Sequence, residues 1–138
     1  MVGIAEGLKY MHSFGVMHRD IKMENIMFRS QDSLEPVIVD FGLAAISEEE
    51  PYLFYRCGTP GYIAPEIITM QENQTINVGC DIFSAGVIFH VLTTKKFLFL
   101  GQNNQEVYRS NKSLSFDLDS QEYGKYDPLA MRLMAEML

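Results

Sequence analysis

The chain has 138 residues, 47% of them hydrophobic and 21% charged, so it suits a single globular domain and is not expected to be disordered. Eleven Lys and Arg stand against eighteen Asp and Glu, which gives a net charge of −7, and the longest basic run is Lys95-Lys96. Nucleic-acid binding needs clustered cations that replace the counterions of phosphates, so we expect no nucleic-acid partner. The acidic balance favours a basic peptide instead.

Neither a secretion signal nor a membrane span is predicted. Residues 1–20 lack a basic start followed by an unbroken apolar stretch, and the most apolar segment, 82–92, is interrupted by polar residues and is shorter than the ~20 residues of a span. The two cysteines, Cys57 and Cys80, have no C-x-x-C spacing and predict neither a disulfide framework nor a zinc site. We therefore expect a cytoplasmic protein with free thiols.

The first half of the chain predicts a helix and a small β-hairpin. Apolar residues recur at helical spacing over residues 1–12, and Gly15 is placed to end that helix. Two short apolar runs follow a polar loop, at 26–28 and 37–39, with a long polar turn between them. They predict a hairpin in which Pro36 starts the second strand.

The second half predicts a long loop followed by helices. Residues 43–66 combine an acidic run with the turn-rich G-T-P-G, which indicates irregular structure. Four helices are then expected, over residues 63–70, 82–92 and 102–111 and from Asp127-Pro128 onward. Asp81 is placed to cap the second of them. No cap precedes the first helix and the last one stops with its apolar face unfinished, so both ends are expected to lie inside elements.

Three short polar motifs stand in a fixed order along the chain. They are H-R-D-x-K-x-x-N at His18, Arg19, Asp20, Lys22 and Asn25, then D-F-G at 40–42, then A-P-E at 64–66. Apolar neighbours fix the first motif inside the protein, and holding polar groups there costs desolvation that a segment used only for packing would avoid. This order and spacing predict a functional site and match the protein-kinase signature set.

Through these motifs the chain resembles the C-terminal lobe of a eukaryotic protein kinase of the serine/threonine type, over residues 1–138. The resemblance implies an α+β fold, namely a mainly helical lobe with a small β-hairpin at the catalytic loop, incomplete at both ends. It also implies ATP and Mg²⁺ as cofactors and a protein or peptide as substrate. The implied activity is transfer of the γ-phosphate of ATP to Ser or Thr.

The family's chemistry accounts for the residue types. Phosphoryl transfer needs a hydroxyl aimed in line and several negative charges neutralised. By resemblance, Asp20 accepts the hydroxyl proton and Lys22 holds the γ-phosphate, and a lysine at this place is typical of serine/threonine kinases. Asn25 and Asp40 bind Mg²⁺, which takes one or two carboxylates together with phosphates and water. Thr59 lies where the family's loop touches both Asp20 and Lys22.

The resemblance implies further contacts, each with a simpler alternative. His18 and Phe41 pack together, either as a switch or as plain packing. Asp81 accepts hydrogen bonds from the backbone near His18 and Arg19, and a plain helix N-cap is the compatible alternative. Glu24 binds an Arg three residues before the phosphorylated site, whereas a solvated surface glutamate is the alternative.

The chain also departs from the family pattern. Tyr55 occupies the place of a phosphorylatable Ser or Thr, so switching by a loop phosphoserine is not expected. One hypothesis is that Glu48, Glu49 and Glu50 supply the charge to Arg19 instead, and the alternative is a solvated acidic run. The insertion before the D-F-G motif resembles the hairpin turn of calcium/calmodulin-dependent kinases, a resemblance to a subgroup only.

The Gly-rich loop, the strand lysine and its helix glutamate, which precede these motifs in the family, have no counterpart in the 138 residues. The Arg that pairs with Glu66 in the family is also missing. We therefore expect an N-terminal lobe in the complete enzyme, and negligible activity and exposed apolar surface for this chain alone. The alternative is a non-catalytic truncated lobe that acts as a protein-binding module.

Overall fold

The computed structural model describes residues 1–49, 52, 54–72 and 74–138. In the described part of the chain, one helix is followed by four short strands and then by four more helices, and this helix-rich content with two small antiparallel sheets confirms the α+β class. The helices are α1 Val2–His12, α2 Pro65–Thr69, α3 Gly79–Thr94, α4 Asn104–Lys112 and α5 Pro128–Met137. The strands are β1 Val16–Met17, β2 Ile26–Phe28, β3 Pro36–Ile38 and β4 Ala45–Ile46, and single 3-10 turns cover Met23–Asn25 and Gln121–Lys125.

Helix α3 lies at the centre of the molecule. It is apolar around almost its whole circumference and is buried along most of its length, as expected for a helix without a solvent face. Helices α1 and α5 pack against it. Gly86 permits the contact with α5, because a Cβ atom added at this glycine would lie 2.9 Å from Cβ of Met137. A larger residue at position 86 would therefore push α5 away.

The predicted hairpin is confirmed. Strands β2 and β3 pair antiparallel, with Ile26 opposite Ile38 and Phe28 opposite Pro36, which starts the second strand as expected. The strand ends at Ile38, one residue earlier than predicted, but the Val39 amide still donates to the carbonyl of Asn25 at 3.0 Å. This last bond brings the D-F-G segment beside the loop that carries the H-R-D motif.

The predicted loop over 43–66 was wrong in part, because it contains a strand. Strand β4 pairs antiparallel with β1, in the register Val16 to Ile46 and Met17 to Ala45. Two-residue strands are too short to show the period-two pattern by which a strand is recognised. The pairing anchors the start of the long loop at the end of α1.

Helices α2, α3 and α4 differ from their predicted bounds, and α2 covers only Pro65–Thr69 rather than 63–70. Helix α3 begins at Gly79 rather than at residue 82, so Asp81 lies in its first turn and does not cap it. Helix α4 begins two residues later than predicted, after the N-cap Asn103, whose Oδ1 accepts from the amide of Glu106 at 3.0 Å. The Glu106 side chain in turn accepts from the amide of Gln102 at 2.8 Å, which completes a reciprocal cap.

The predicted start of α5 is confirmed. Oδ1 of Asp127 accepts from the amides of Leu129 and Ala130 at 2.9 and 3.0 Å, and Pro128 occupies the first turn. Among the described residues, none of the helices combines the length and apolar character needed to cross a bilayer. Both cysteines are free thiols, and burial raises the pKa of each.

Apolar surface is exposed along the hairpin and the start of α1. Phe28 is 61% exposed and Leu34 is 89% exposed. Together with the first turn of α1 and the Ile88 and Leu92 side chains of α3, they line a groove of about 490 Å³. The exposed apolar surface expected from the sequence is therefore present at this face.

His90 fastens the C-terminal end of α3 to the 3-10 turn Gln121–Lys125. Its ring is 1% exposed, and the Nδ1 atom donates to the carbonyl of Lys96 at 3.1 Å. The Nε2 atom then accepts from the hydroxyl of Tyr123 at 2.9 Å. Burial lowers the pKa of His90, although the Lys96 carbonyl opposes the shift. The ring is therefore neutral in the folded protein at neutral pH.

This burial predicts a loss of stability in mild acid. The folded pKa lies below the ordinary value of about 6.5, so the unfolded chain takes up the proton first as the pH falls. The free energy of unfolding should then decrease by at most about 1.4 kcal/mol per pH unit from this group. His90→Gln keeps a donor and an acceptor but does not titrate. In urea unfolding, the stability advantage of the wild type over His90→Gln should shrink below about pH 6.5, and a constant difference would contradict the prediction.

Candidate active site

The loop that carries the H-R-D motif is attached to the central helix through one buried carboxylate. Asp81 of α3 is 0% exposed, and its two oxygens accept from the backbone amides of His18 and Arg19, each at 2.8 Å. Nε2 of His12 donates to the same carboxylate at 2.9 Å. The expected hydrogen bonds from this backbone to Asp81 are therefore present, and the alternative, in which Asp81 is the N-cap of the helix, is wrong. Arg19 has a φ of +65°, a conformation that costs about 1–3 kcal/mol and that these bonds hold in place.

His18 joins the loop of the H-R-D motif to the D-F-G segment. Its buried ring donates from Nε2 to the carbonyl of Val39 at 2.9 Å, and Nδ1 accepts from the amide of Asp20 at 3.3 Å. The ring centroid lies 5.1 Å from that of Phe41. The structure thus brings together the two rings that the resemblance paired.

Asp20, Lys22 and Thr59 form a closed hydrogen-bonded triangle. Lys22 Nζ donates to Oδ2 of Asp20 at 2.7 Å and to the Thr59 hydroxyl at 2.9 Å, and that hydroxyl donates to Oδ1 of Asp20 at 2.7 Å. The side chains of Asp20 and Lys22 keep 11% and 21% of their surface exposed, so the carboxylate is oriented but reachable. A carboxylate held beside a cation can accept a proton from a hydroxyl while the cation neutralises a nearby anion.

Asn25 and Asp40 lie on either side of the hairpin base. Both hydrogen bonds of the Asn25 amide use its nitrogen, to the carbonyl of Asp20 at 2.9 Å and to Oδ2 of Asp20 at 3.3 Å. No described residue donates to its amide oxygen, which is therefore available as an oxygen ligand. Asp40 is exposed, with a φ of +65°, and its Oδ1 accepts from the amide of Gly42 at 3.3 Å.

The donor set at this place fits Mg²⁺ with a nucleotide better than a metal held by protein alone. In the described part of the chain, no three His, Cys, Asp or Glu side chains form a metal-binding group. Mg²⁺ keeps several waters and takes one or two carboxylates together with phosphate oxygens. One amide oxygen and one exposed carboxylate match that requirement.

Glu24 lies on the edge of a groove that begins at the triangle. The groove has a volume of about 320 Å³ and is lined by Glu24, Thr59, the segment 60–62, the segment 97–101 and the α4 residues Asn104 and Val107. Glu24 is exposed and forms no ion pair with any described cation. The groove therefore offers an unpaired carboxylate and apolar walls beside Asp20.

Arg19 is held by carbonyl groups and an aromatic ring. Its Nε donates to the carbonyl of Leu43 at 2.7 Å, and its Nη1 donates to the carbonyl of Phe54 at 2.8 Å. The guanidinium also lies over the ring of Tyr52, 5.2 Å from the centroid. The Tyr52 hydroxyl accepts from the amide of Ile76 at 3.2 Å, so this buried tyrosine ties the long loop to the segment before α3. Sequence reasoning missed Tyr52, since no motif contains it.

The acidic run that starts at Glu48 was suggested by the sequence as a source of negative charge for Arg19, and its described residues do not pair with that arginine. Neither Glu48 nor Glu49 forms an ion pair with Arg19, whose Nε and Nη1 atoms donate to carbonyl oxygens instead. The amide of Glu48 instead donates to the carbonyl of Ile76 at 3.0 Å. Glu50, the third residue of the run, lies outside the described residues. The hypothesis is therefore corrected for the first two glutamates.

Comparison with known proteins gives a consistent family. The model of the protein kinase domain matches residues 1–138. A probable myosin light chain kinase of Dictyostelium discoideum is 34% identical over 137 residues, which are 98% of this chain and 34% of that protein. Myosin light chain kinase family member 4 of Mus musculus is 31% identical over 138 residues, 100% of this chain and 35% of that protein. Serine/threonine-protein kinase 17A of Oryctolagus cuniculus is 32% identical over 136 residues, 98% of this chain and 34% of that protein. The chain thus spans about a third of the length of these curated relatives.

Proposed function

The chain belongs to the protein kinase family, in its serine/threonine branch, and from this premise we propose that residues 1–138 form the C-terminal lobe of an ATP-dependent kinase. The observation that carries the proposal is the hydrogen-bonded triangle of Asp20, Lys22 and Thr59, together with the hydrogen bond from Asn25 to the Asp20 carboxylate. Phosphoryl transfer is mostly positioning and charge neutralisation, and this cluster provides both.

Asp20 is the acceptor of the substrate hydroxyl proton. Its carboxylate is fixed by Thr59 at 2.7 Å and by Lys22 at 2.7 Å, so it presents a defined direction to an incoming serine or threonine. The hydroxyl oxygen forms a bond to the γ-phosphorus, the bond from that phosphorus to the β-γ bridging oxygen breaks, and the proton passes to Asp20. Lys22 neutralises the negative charge that gathers on the transferred group.

Asn25 and Asp40 are the residues that would hold Mg²⁺, Asn25 through its amide oxygen and Asp40 through its carboxylate. Bound Mg²⁺-ATP supplies the transferable phosphoryl group and part of the charge neutralisation. Asp40 suits this task because it is exposed and because its backbone is fixed by the neighbouring bond from Val39 to Asn25. His18 supports the same segment through its contact with Phe41.

A basic peptide is the proposed substrate. Glu24 lies at the edge of the groove that starts at Thr59 and carries no intramolecular ion pair among the described residues. An arginine upstream of the acceptor residue can pair with this exposed carboxylate, and the bound peptide would shield the pair from part of the solvent, so that a charge-assisted bond contributes about 1–1.5 kcal/mol. The apolar walls of the groove receive the rest of the peptide.

One peptide panel tests both the reaction and the role of Glu24. The full natural product that contains these residues is incubated with Mg²⁺-ATP and peptides whose only acceptor is Ser, Thr or Tyr, each with Arg or Gln three places upstream. We expect Ser and Thr to be labelled and Tyr not, with kcat/KM about tenfold higher for the Arg peptides. Glu24→Gln should remove the Arg preference and leave the Gln peptides unaffected.

The results test the kinase reaction and the role of Glu24 separately. Labelling of Ser and Thr with no Arg preference in the wild type would contradict the role of Glu24 alone. No labelling of any peptide would contradict the kinase reaction. The remaining function would then be the binding module, which the exposed apolar groove beside Phe28 and Leu34 favours.

A further inference from the structure

We propose that Asn111, in the last turn of α4, is a positioning residue for phosphoryl transfer, because it fixes the backbone turn that holds the Thr59 hydroxyl on Asp20. The inference rests on the proposed function and adds a residue that belongs to none of the sequence motifs.

The Thr59 hydroxyl is oriented by a tight turn. The carbonyl of Thr59 accepts from the amide of Tyr62 at 3.0 Å, Pro60 is the second residue, and Gly61 is the third with a φ of +92°. This is the pattern of a type II β-turn, which favours Pro at the second place and requires a positive φ at the third. Since Thr59 is the first residue of the turn, rotation of the turn would move its hydroxyl away from Asp20.

Asn111 binds this turn at two points. Its side chain is 0% exposed, Oδ1 accepts from the amide of Gly61 at 3.1 Å, and Nδ2 donates to the carbonyl of Ile63 at 2.9 Å. A planar amide that both accepts and donates fixes the distance and the orientation of the backbone between its two partners. Few side chains can provide both functions in this geometry.

Packing on the same helix face supports the attachment. Val107 lies one turn before Asn111, and a Cβ atom added at Gly61 would lie 3.2 Å from its Cγ1. A side chain at position 61 would therefore separate the turn from α4 as well as strain its positive φ. From the opposite side, Ser84 of α3 donates to the carbonyl of Tyr62 at 2.7 Å. The turn is thus fixed between two helices.

An asparagine stands at position 111 where an apolar residue would pack equally well, which indicates that its hydrogen bonds to the turn are needed. Val107 packs on the turn with apolar atoms, and a second apolar residue one turn later would continue the same buried stripe. A buried amide carries a desolvation cost and is retained where its hydrogen bonds are needed. Here those bonds lead directly to Thr59, whose hydroxyl lies 2.7 Å from Asp20 and 2.9 Å from Lys22.

The experiment is a double-mutant cycle in the full natural product. Asn111→Leu, Thr59→Val and the pair are assayed with one Ser peptide, and Gln105→Leu on the exposed face of α4 is the matched control. We expect Asn111→Leu to lower kcat/KM for the peptide roughly tenfold to a hundredfold, with the KM for ATP unchanged. In the Thr59→Val background, Asn111→Leu should lower kcat/KM little further, because Asn111 acts on the reaction through Thr59. Gln105→Leu should behave as the wild type.

Deuterium exchange of the segment 58–63 gives a second measurement that needs no catalysis. Exchange should be faster in Asn111→Leu and unchanged in Gln105→Leu. Equal losses of kcat/KM in the Thr59 and Thr59→Val backgrounds, or unchanged exchange in an active protein, would overturn the proposal. The wild type could also prove inactive while the segment 58–63 exchanges faster in Asn111→Leu than in the wild type and in Gln105→Leu. That result would contradict the kinase reaction but support the attachment of the turn by Asn111. If Asn111→Leu does not fold, Asn111→Ser, which keeps one hydroxyl, takes its place in the cycle.

Discussion

Asp20→Asn is expected to reduce phosphoryl transfer about a thousandfold or more while the protein stays folded. The carboxylate accepts the proton of the attacking hydroxyl in the proposed reaction, and an amide cannot do so. General-base catalysis by a positioned side chain contributes roughly 10²–10⁴ in rate. The amide also places an N–H group beside Lys22 or Thr59, both of which now donate to the carboxylate at 2.7 Å.

The fold should tolerate this substitution because the site is partly open to solvent. The side chain of Asp20 keeps 11% of its surface exposed, and leaving Lys22 or Thr59 without this acceptor costs about 1–3 kcal/mol, a fraction of the stability of a typical domain. The measurement is kcat for a Ser peptide beside the free energy of unfolding in urea. Asp32→Asn, an exposed aspartate in the hairpin turn, is the matched control. Retention of more than about a tenth of the wild-type kcat by Asp20→Asn would exclude Asp20 as the base.

The elements that could be predicted from the sequence are those with a local signal. Helix α1 shows helical periodicity, and α5 begins with an aspartate cap followed by proline. The β2-β3 hairpin shows two short apolar runs separated by a polar turn. The pairing of β1 with β4 could not be predicted, because each strand has two residues and the partners are far apart in the chain. Helix α3 was predicted too short, because Asp81, a residue type common at N-caps, lies inside its first turn.

The candidate site was predicted as a set of residues, but most of their partners were not. The spacing of the motifs led to Asp20 and Lys22, and Thr59 was found through its neighbours in the G-T-P turn. The carbonyl groups that bind Arg19 carry no sequence signal, because every residue has a carbonyl. Asn111 was missed for a related reason. A single asparagine in an amphipathic helix is usually a surface residue, and only the tertiary structure shows that this one is fully buried.

Asp81→Asn is expected to lower both stability and activity, because the asparagine has one oxygen where the backbone needs two. In the wild type, one carboxylate oxygen accepts from the amide of Arg19 and the other accepts from His18 and His12. The substitution turns an NH₂ group toward one of these N–H donors in a fully buried position. An unsatisfied buried donor costs about 1–3 kcal/mol. We expect the free energy of unfolding to fall by about 2–3 kcal/mol.

The same change should release the strained backbone of the catalytic loop. Arg19 stays at a φ of +65° against a cost of about 1–3 kcal/mol, and the bond from its amide to Asp81 compensates for that cost. Once either of the two backbone bonds to position 81 is lost, Asp20 no longer has a fixed position, and kcat should fall roughly a hundredfold even in the folded fraction. Urea unfolding and kcat are measured side by side, with Asp32→Asn again as the control. A charge at a helix N-terminus contributes only about 0.3–1 kcal/mol, so a loss within that range together with unchanged kcat would mean that Asp81 acts on the helix start alone.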